Sequence, residues 1–169
     1  MKRKISALVL MLMVISMLAS CGVQVPRPEI KTGEFNFSVT YELNGKTSTI
    51  SGVYVCEYNG TKWALDGGSH RDWKGYIKDN KMNMDVEIGT TDDGGTIVID
   101  LGLYPDYFMG EDVSGGLDAP APQLTISYPY DEVGGVQIIP TEEIEEIYGA
   151  KIISFEYDAP IENTFKLFA

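Results

Sequence analysis

GEFNFSVTYELNGK, residues 33–46, decides the fold. Phe35, Phe37, Val39, Tyr41 and Leu43 alternate with Glu34, Asn36, Ser38, Thr40 and Glu42. A period of two places one set on a buried face and the other in water, which is a half-buried β-strand. Asn44-Gly45 follows, the preferred pair for a two-residue hairpin because both turn positions need positive φ. The partner strand is then expected over about Lys46 to Tyr58. A second Asn-Gly, Asn59-Gly60, predicts another turn into a third strand over Thr61 to Leu65, making a meander.

The same signals recur further along. Met82 to Ile88 alternates, Asp92-Asp93-Gly94-Gly95 reads as a turn, and Thr96 to Leu101 is rich in β-branched residues, so a further hairpin is expected. Leu124 to Tyr128 and Ile152 to Tyr157 are strand candidates. Thr141 to Tyr148 is the one helical segment: Thr141 can cap it, acids fill its first turn and Gly149 can end it. Ile144 and Ile147 are expected to face the core, and Glu142, Glu145 and Glu146 the solvent. Tyr104 to Pro122 is broken up by Pro105, Gly110, Gly115, Gly116, Pro120 and Pro122 and is expected to be a long irregular loop, a common place for a site. The sum is a mainly β chain, an antiparallel β-sandwich or open barrel with one short helix near 141–148, forming a single domain over 33–169.

Ahead of the domain stand Lys2-Arg3-Lys4, an apolar run of about fourteen residues from Ile5 to Leu18, and Leu18-Ala19-Ser20-Cys21. A spanning helix needs roughly twenty apolar residues, so this run has the dimensions of a secretory signal peptide over 1–20. Leu-Ala-Ser-Cys resembles the lipobox of bacterial lipoproteins. That resemblance implies a diacylglyceryl group on the Cys21 thiol, cleavage before it, palmitate-type acylation and retention on the extracytoplasmic face of the cell membrane. Residues 21–32, with Pro26 and Pro28 and no hydrophobic period, are expected to be an extended tether. At roughly 3 Å per residue it would lift the domain by about 30 Å.

Loss of residues 1–20 takes away three basic residues, leaving 10 Lys and Arg against 25 Asp and Glu, a net charge of -15. Such a surface repels phosphate polymers and anionic lipid, so nucleic acid and direct docking on anionic headgroups are disfavoured. With Cys21 acylated, Cys56 is left alone, and no intramolecular disulfide is available. Cys56 lies in an apolar strand-like run without a cationic neighbour and reads as an inert buried thiol. The single histidine, His70, cannot build a multi-His metal centre, and with no GxSxG elbow it reads as an exposed turn residue. Asp92-Asp93-Gly94-Gly95, or Glu111-Asp112 with Asp118, could offer hard oxygen ligands, but the order of an EF-hand loop is missing. No metal, cofactor or catalytic residue is assigned.

Aromatic rings are the remaining signal. Beside acids and amides they can stack on sugars or grip peptide side chains, although packing in the core is the commoner fate of such rings. Trp73, Tyr104 and Tyr107 are the expected ligand-binding residues, because they lie by turns or proline rather than in a clean alternating strand. The segments GEFNFSVTYELNGK (33–46), VYVCEYNGTKW (53–63), RDWKGY (71–76), YPDYFMGE (104–111) and IISFEYDAPIENTF (152–165) resemble uncharacterised surface lipoproteins of Gram-positive, clostridia-like bacteria. That likeness implies a one-membrane host and carries no activity with it. The expected function is a lipid-anchored, non-enzymatic domain that binds a protein, peptide or glycan outside the cell. The alternatives are a carboxylate-dependent enzyme acting on wall polysaccharide and an envelope structural or assembly factor.

Overall fold

The computed structural model describes residues 25–63, 68–80, 84–111, 119–128, 136–137 and 141–167. Cys21 and the residues before it lie outside the described residues, as do Asp112 and Asp118. In chain order the elements are β1 (Arg27–Pro28), β2 (Thr32–Leu43), β3 (Lys46–Trp63), β4 (Ser69–Ile77), β5 (Asp85–Thr90), β6 (Thr96–Asp100), α1 (Pro105–Phe108), β7 (Gln123–Ser127), β8 (Val136–Gln137), α2 (Thr141–Tyr148), β9 (Ala150–Tyr157) and β10 (Phe165–Lys166). The larger strands form two antiparallel sheets, ordered β4-β3-β2-β9 and β5-β6-β7-β8, and neither closes into a barrel. The expected mainly β class holds, and of its two forms the sandwich is the one built.

Register follows from the first hairpin. Asn44 and Gly45 have φ of 51° and 75°, and Leu43 pairs with Lys46 across them. The alternation then buries Phe35, Phe37 and Val39. They meet Ile97, Ile99, Leu124 and Ile126 of the other sheet in one core. Tyr54 spans the layers: its hydroxyl donates to the Leu103 carbonyl at 3.1 Å. Its ring lies over Gly75, where a Cβ would sit 1.8 Å from the Tyr54 oxygen.

Five expectations are corrected. Asn59-Gly60 does not turn the chain; β3 runs through it to Trp63, with a bulge where the pairing passes from Tyr58–Trp73 to Gly60–Asp72. A bulge and a hairpin both use positive φ, and Gly60 has φ 105°, so the dipeptide alone did not decide between them. As a result His70 sits on β4 opposite Lys62, exposed but in a strand rather than a turn. The segment after Tyr104 opens not as an irregular loop but as α1, with Pro at its start and Phe108 and Met109 fully buried. On α2, Ile144 is buried as expected, but Ile147 is 63% exposed while Tyr148 packs against the core. Residues 147 and 148 lie about 100° apart around the helix, so with Tyr148 toward the core Ile147 is turned off it. Gly149 ends this helix as expected, with φ 58° and its N–H on the Glu145 carbonyl.

The fifth correction concerns the tether. Residues 26–32 are part of the fold: Arg27 and Pro28 pair with Lys166 and Phe165, and Pro28 is buried. The Glu29 amide donates to the Thr164 carbonyl at 2.8 Å, and Asn163 bridges both polar groups of the Ile30 backbone. The chain between Cys21 and the fold is correspondingly short.

Candidate functional site

Strands β2, β3 and β4 alternate, so the residues between the core positions share the outer face of their sheet. Thr32 pairs with Glu57 and Glu34 with Val55, while Val55 and Glu57 pair on their other side with Tyr76 and Lys74. Beyond β4 a single 3-10 turn, Lys78–Asn80, brings Lys78 and Asp79 over the same region, with Asp79 held at φ 66°. Together Thr32, Gly33, Glu34, Val55, Glu57, Tyr76, Lys78 and Asp79 line an open cleft of about 500 Å³. That is within the range of small-molecule sites, roughly 300–1,000 Å³.

The cleft has an apolar floor and a polar wall. Val55 is buried, and Tyr76 keeps part of its ring exposed. The Tyr76 hydroxyl donates to Glu57 Oε1 at 2.8 Å, an acceptor that holds the phenol above its usual pKa. Lys78 Nζ donates to Glu34 Oε2 at 2.6 Å, and that bond raises the ammonium pKa. Among the described lining residues Glu34, Glu57 and Asp79 carry carboxylates and Lys78 an ammonium, with Lys74 beside Glu57 on the same face, so the cleft can receive cations and hydroxyl or amine donors on its carboxylates. The oriented carboxylates accept hydrogen bonds and the Tyr76 ring offers a stacking edge.

None of the three expected ligand-binding rings lines this cleft. Trp73 points inward: it is 7% exposed, stands edge-on to Tyr58 at 5.3 Å between centroids, and donates from Nε1 to Glu111 Oε2 at 2.7 Å. A ring covered in this way has no face for a sugar. Tyr107 is half-buried and meets Phe108 and Tyr157 edge-on. Tyr104, ahead of α1, is the exposed one. Tyr76 is the aromatic residue that the alternation could have singled out. With Trp73 facing in, a residue three positions along the same strand must face out.

Glu111 closes a second cluster. Its other oxygen forms an ion pair with Arg71, both side chains largely buried, and Arg71 Nη1 donates to the Pro26 carbonyl at 3.0 Å. The guanidinium carbon lies 4.0 Å from the centroid of the Phe165 ring. Asp106 stands nearby with its carboxyl pushed above the usual range, by burial first and by Glu111 second. Arg71 therefore clasps the two ends of the domain together.

The other candidates resolve into structure. Burial pushes the Cys56 thiol up to about 12, with Asp106 adding to it. At Asp92–Gly95 the Asp93 carboxylate accepts from Thr91 Oγ1 and from the Tyr128 hydroxyl, and both bonds hold its pKa down. Thr91 Oγ1 also accepts from the Gly95 amide at 2.7 Å, so these groups build the turn between β5 and β6. Among the described residues no group of three or more His, Cys, Asp or Glu could hold a metal ion, and no helix is long and apolar enough to cross a membrane. No family model matches the chain, and neither a curated protein nor a solved structure matches it.

Proposed function

We propose that the protein is a lipid-anchored binding domain on the extracytoplasmic face of a Gram-positive cell membrane. Its ligand is a peptide, protein or glycan that presents a cationic or donor-rich group to the Glu34–Glu57–Tyr76–Lys78 cleft. The cleft is the observation that carries this reading: an apolar floor on Val55, a ring edge, and two carboxylates each oriented by a neighbouring donor. Support for the anchor comes from the lipobox-like Leu18-Ala19-Ser20-Cys21 after its apolar run. No metal or cofactor enters this reading.

The test is the melting temperature of the mature chain with cationic peptides, wall glycans and calcium, each supplied singly. A ligand selective for the native state stabilises it by about 2.7 kcal/mol at a hundredfold excess over its dissociation constant. A shift with a cationic peptide or a wall glycan, lost on Glu57→Gln, is expected; a shift with calcium alone, or none with any class, counts against the reading. The raised carboxyl of Asp106 beside Glu111 favours a second reading, a carboxylate-dependent enzyme on wall polysaccharide. Against it, both Glu111 oxygens are already engaged, by Trp73 and Arg71. Turnover of wall polysaccharide that disappears in Asp106→Asn would decide for the enzyme.

A further inference from the structure

The Arg71 clasp fixes where the chain enters the fold, and the residues around that point have no work in the cleft. Arg71 pairs across the sheet with Thr61, and Trp63 pairs with Ser69 two residues further on. Cross-strand partners share a face, and diagonal neighbours lie roughly 7–8 Å apart. Trp63 therefore stands beside the Arg71 side chain that holds Pro26. It is 71% exposed. Leu167, two residues beyond the Phe165 ring that Arg71 covers, is 54% exposed. Two large apolar side chains thus flank the point where the N-terminal segment joins the domain.

Charge at this end differs from the rest of the chain. Lys62 and Lys166 are matched by Asp72 and Glu29, at 2.7 and 2.9 Å, and Arg27 adds an exposed positive group. An approach to phospholipid headgroups is not opposed here as it would be elsewhere on a chain whose net charge after loss of residues 1–20 is -15.

From these observations we infer that the Trp63–Leu167 end of the domain docks on the phospholipid interface of the membrane that holds Cys21. The inference rests on the lipid anchor proposed above. Five Cα steps separate Cys21 from Pro26, and at most about 3.6 Å per step gives a leash of about 18 Å. The headgroup layer is itself roughly 5–8 Å deep on each side of the hydrocarbon. A leash this short keeps Trp63 at a high effective concentration against the surface, so a weak contact is enough to hold it. Tryptophan favours that depth because its ring is apolar and its N–H can be hydrated. Val55, in the floor of the cleft, lies eight residues back along β3, about 26 Å of strand. Docking through Trp63 therefore presents the cleft away from the bilayer.

The experiment uses the lipidated chain purified from membranes and placed in phosphatidylcholine vesicles, with and without bromine on the upper acyl carbons. Trp63→Phe, a conservative change at an exposed position, separates its emission from that of Trp73, and intact mass reports the acyl group on Cys21. The expected result is an acylated chain whose emission is blue-shifted and quenched by bromine, with the quenching lost in Trp63→Phe. An acylated chain with equal emission in both vesicles, or with quenching that persists in Trp63→Phe, overturns the docking and leaves the anchor standing. Equal emission together with self-cross-linking through position 63 would assign the surface to a second copy instead. A mass without the acyl group overturns the anchor, and the docking falls with it.

Discussion

Replacing Glu111 by alanine should cost more than any surface acid in this acidic chain, because one carboxylate satisfies two buried donors. It accepts from Trp73 Nε1 at 2.7 Å and pairs with Arg71. Among the described residues Arg71 Nε has no partner, and without Glu111 the guanidinium keeps, among them, the Pro26 carbonyl and the Phe165 ring. Removing one member of a buried ion pair costs about 3–5 kcal/mol, and leaving a neutral donor such as the indole N–H unpaired costs about 1–3. The two penalties share one carboxylate and do not add. Slight exposure of both side chains favours the lower end, about 3 kcal/mol. At about 2–4 °C per kcal/mol for a domain near this size, the melting temperature falls by about 6–12 °C. Glu111→Gln keeps an acceptor and loses the charge, and should fall between. Hydrogen exchange localises the damage: the Glu29 amide, bonded to the Thr164 carbonyl, should exchange faster as the clasp loosens. A loss under about 2 °C with unchanged Glu29 protection would refute the reasoning, since water would then have replaced the carboxylate.

Three further outcomes follow from the same packing. Gly75→Ala forces a methyl group into the Tyr54 hydroxyl and should cost about 1–3 kcal/mol in denaturant unfolding. Adding Tyr54→Phe removes the nearest clashing atom and leaves ring Cζ at 2.4 Å, so the clash is relieved in part and the double variant should lose less than the sum of the two; strict additivity would contradict this contact. Asp106→Asn should raise the melting temperature at neutral pH. A carboxyl whose folded pKa lies above its unfolded value costs stability as pH rises through that interval, and the cost persists above it. The advantage should therefore disappear below about pH 3.5, where the unfolded carboxyl is also protonated; a less stable variant at pH 7 would reverse the sign. Cys56, with its thiol pushed up to about 12, should resist thiol reagents in the native chain and react once denatured. Rapid native labelling would show that the strand opens.

The parts of the fold that local chemistry dictates were legible in the sequence. Phe35 to Leu43 alternates cleanly enough to read as a strand with its aromatic face inward, and Asn44-Gly45 turns the chain because the strands on its two sides pair with each other, Leu43 with Lys46. Asn59-Gly60 failed as a turn signal because β4 pairs on both sides of it and turns the same glycine into a bulge. Helix α1 is four residues long, too short to show a period, and its Pro105 was the one local clue. Pro26 and Pro28 read as tether because their partners lie near residue 165, out of reach of any local pattern. The cleft escaped for a related reason. Glu34, Glu57 and Tyr76 come from three strands, and only the register of β2 on β3 and of β3 on β4 brings them to one face. Trp73 looked exposed beside its turn residues, but the register sends it inward to Glu111 and leaves Tyr76 outside.

Calorimetric titration of a lysine-containing cationic peptide into the mature chain, beside the Glu34→Gln/Glu57→Gln variant, bears most directly on the proposed binding role. The account predicts saturable heat with the natural chain that is lost in the variant at an unchanged melting temperature. Equal heat from both proteins would contradict the cleft as the site.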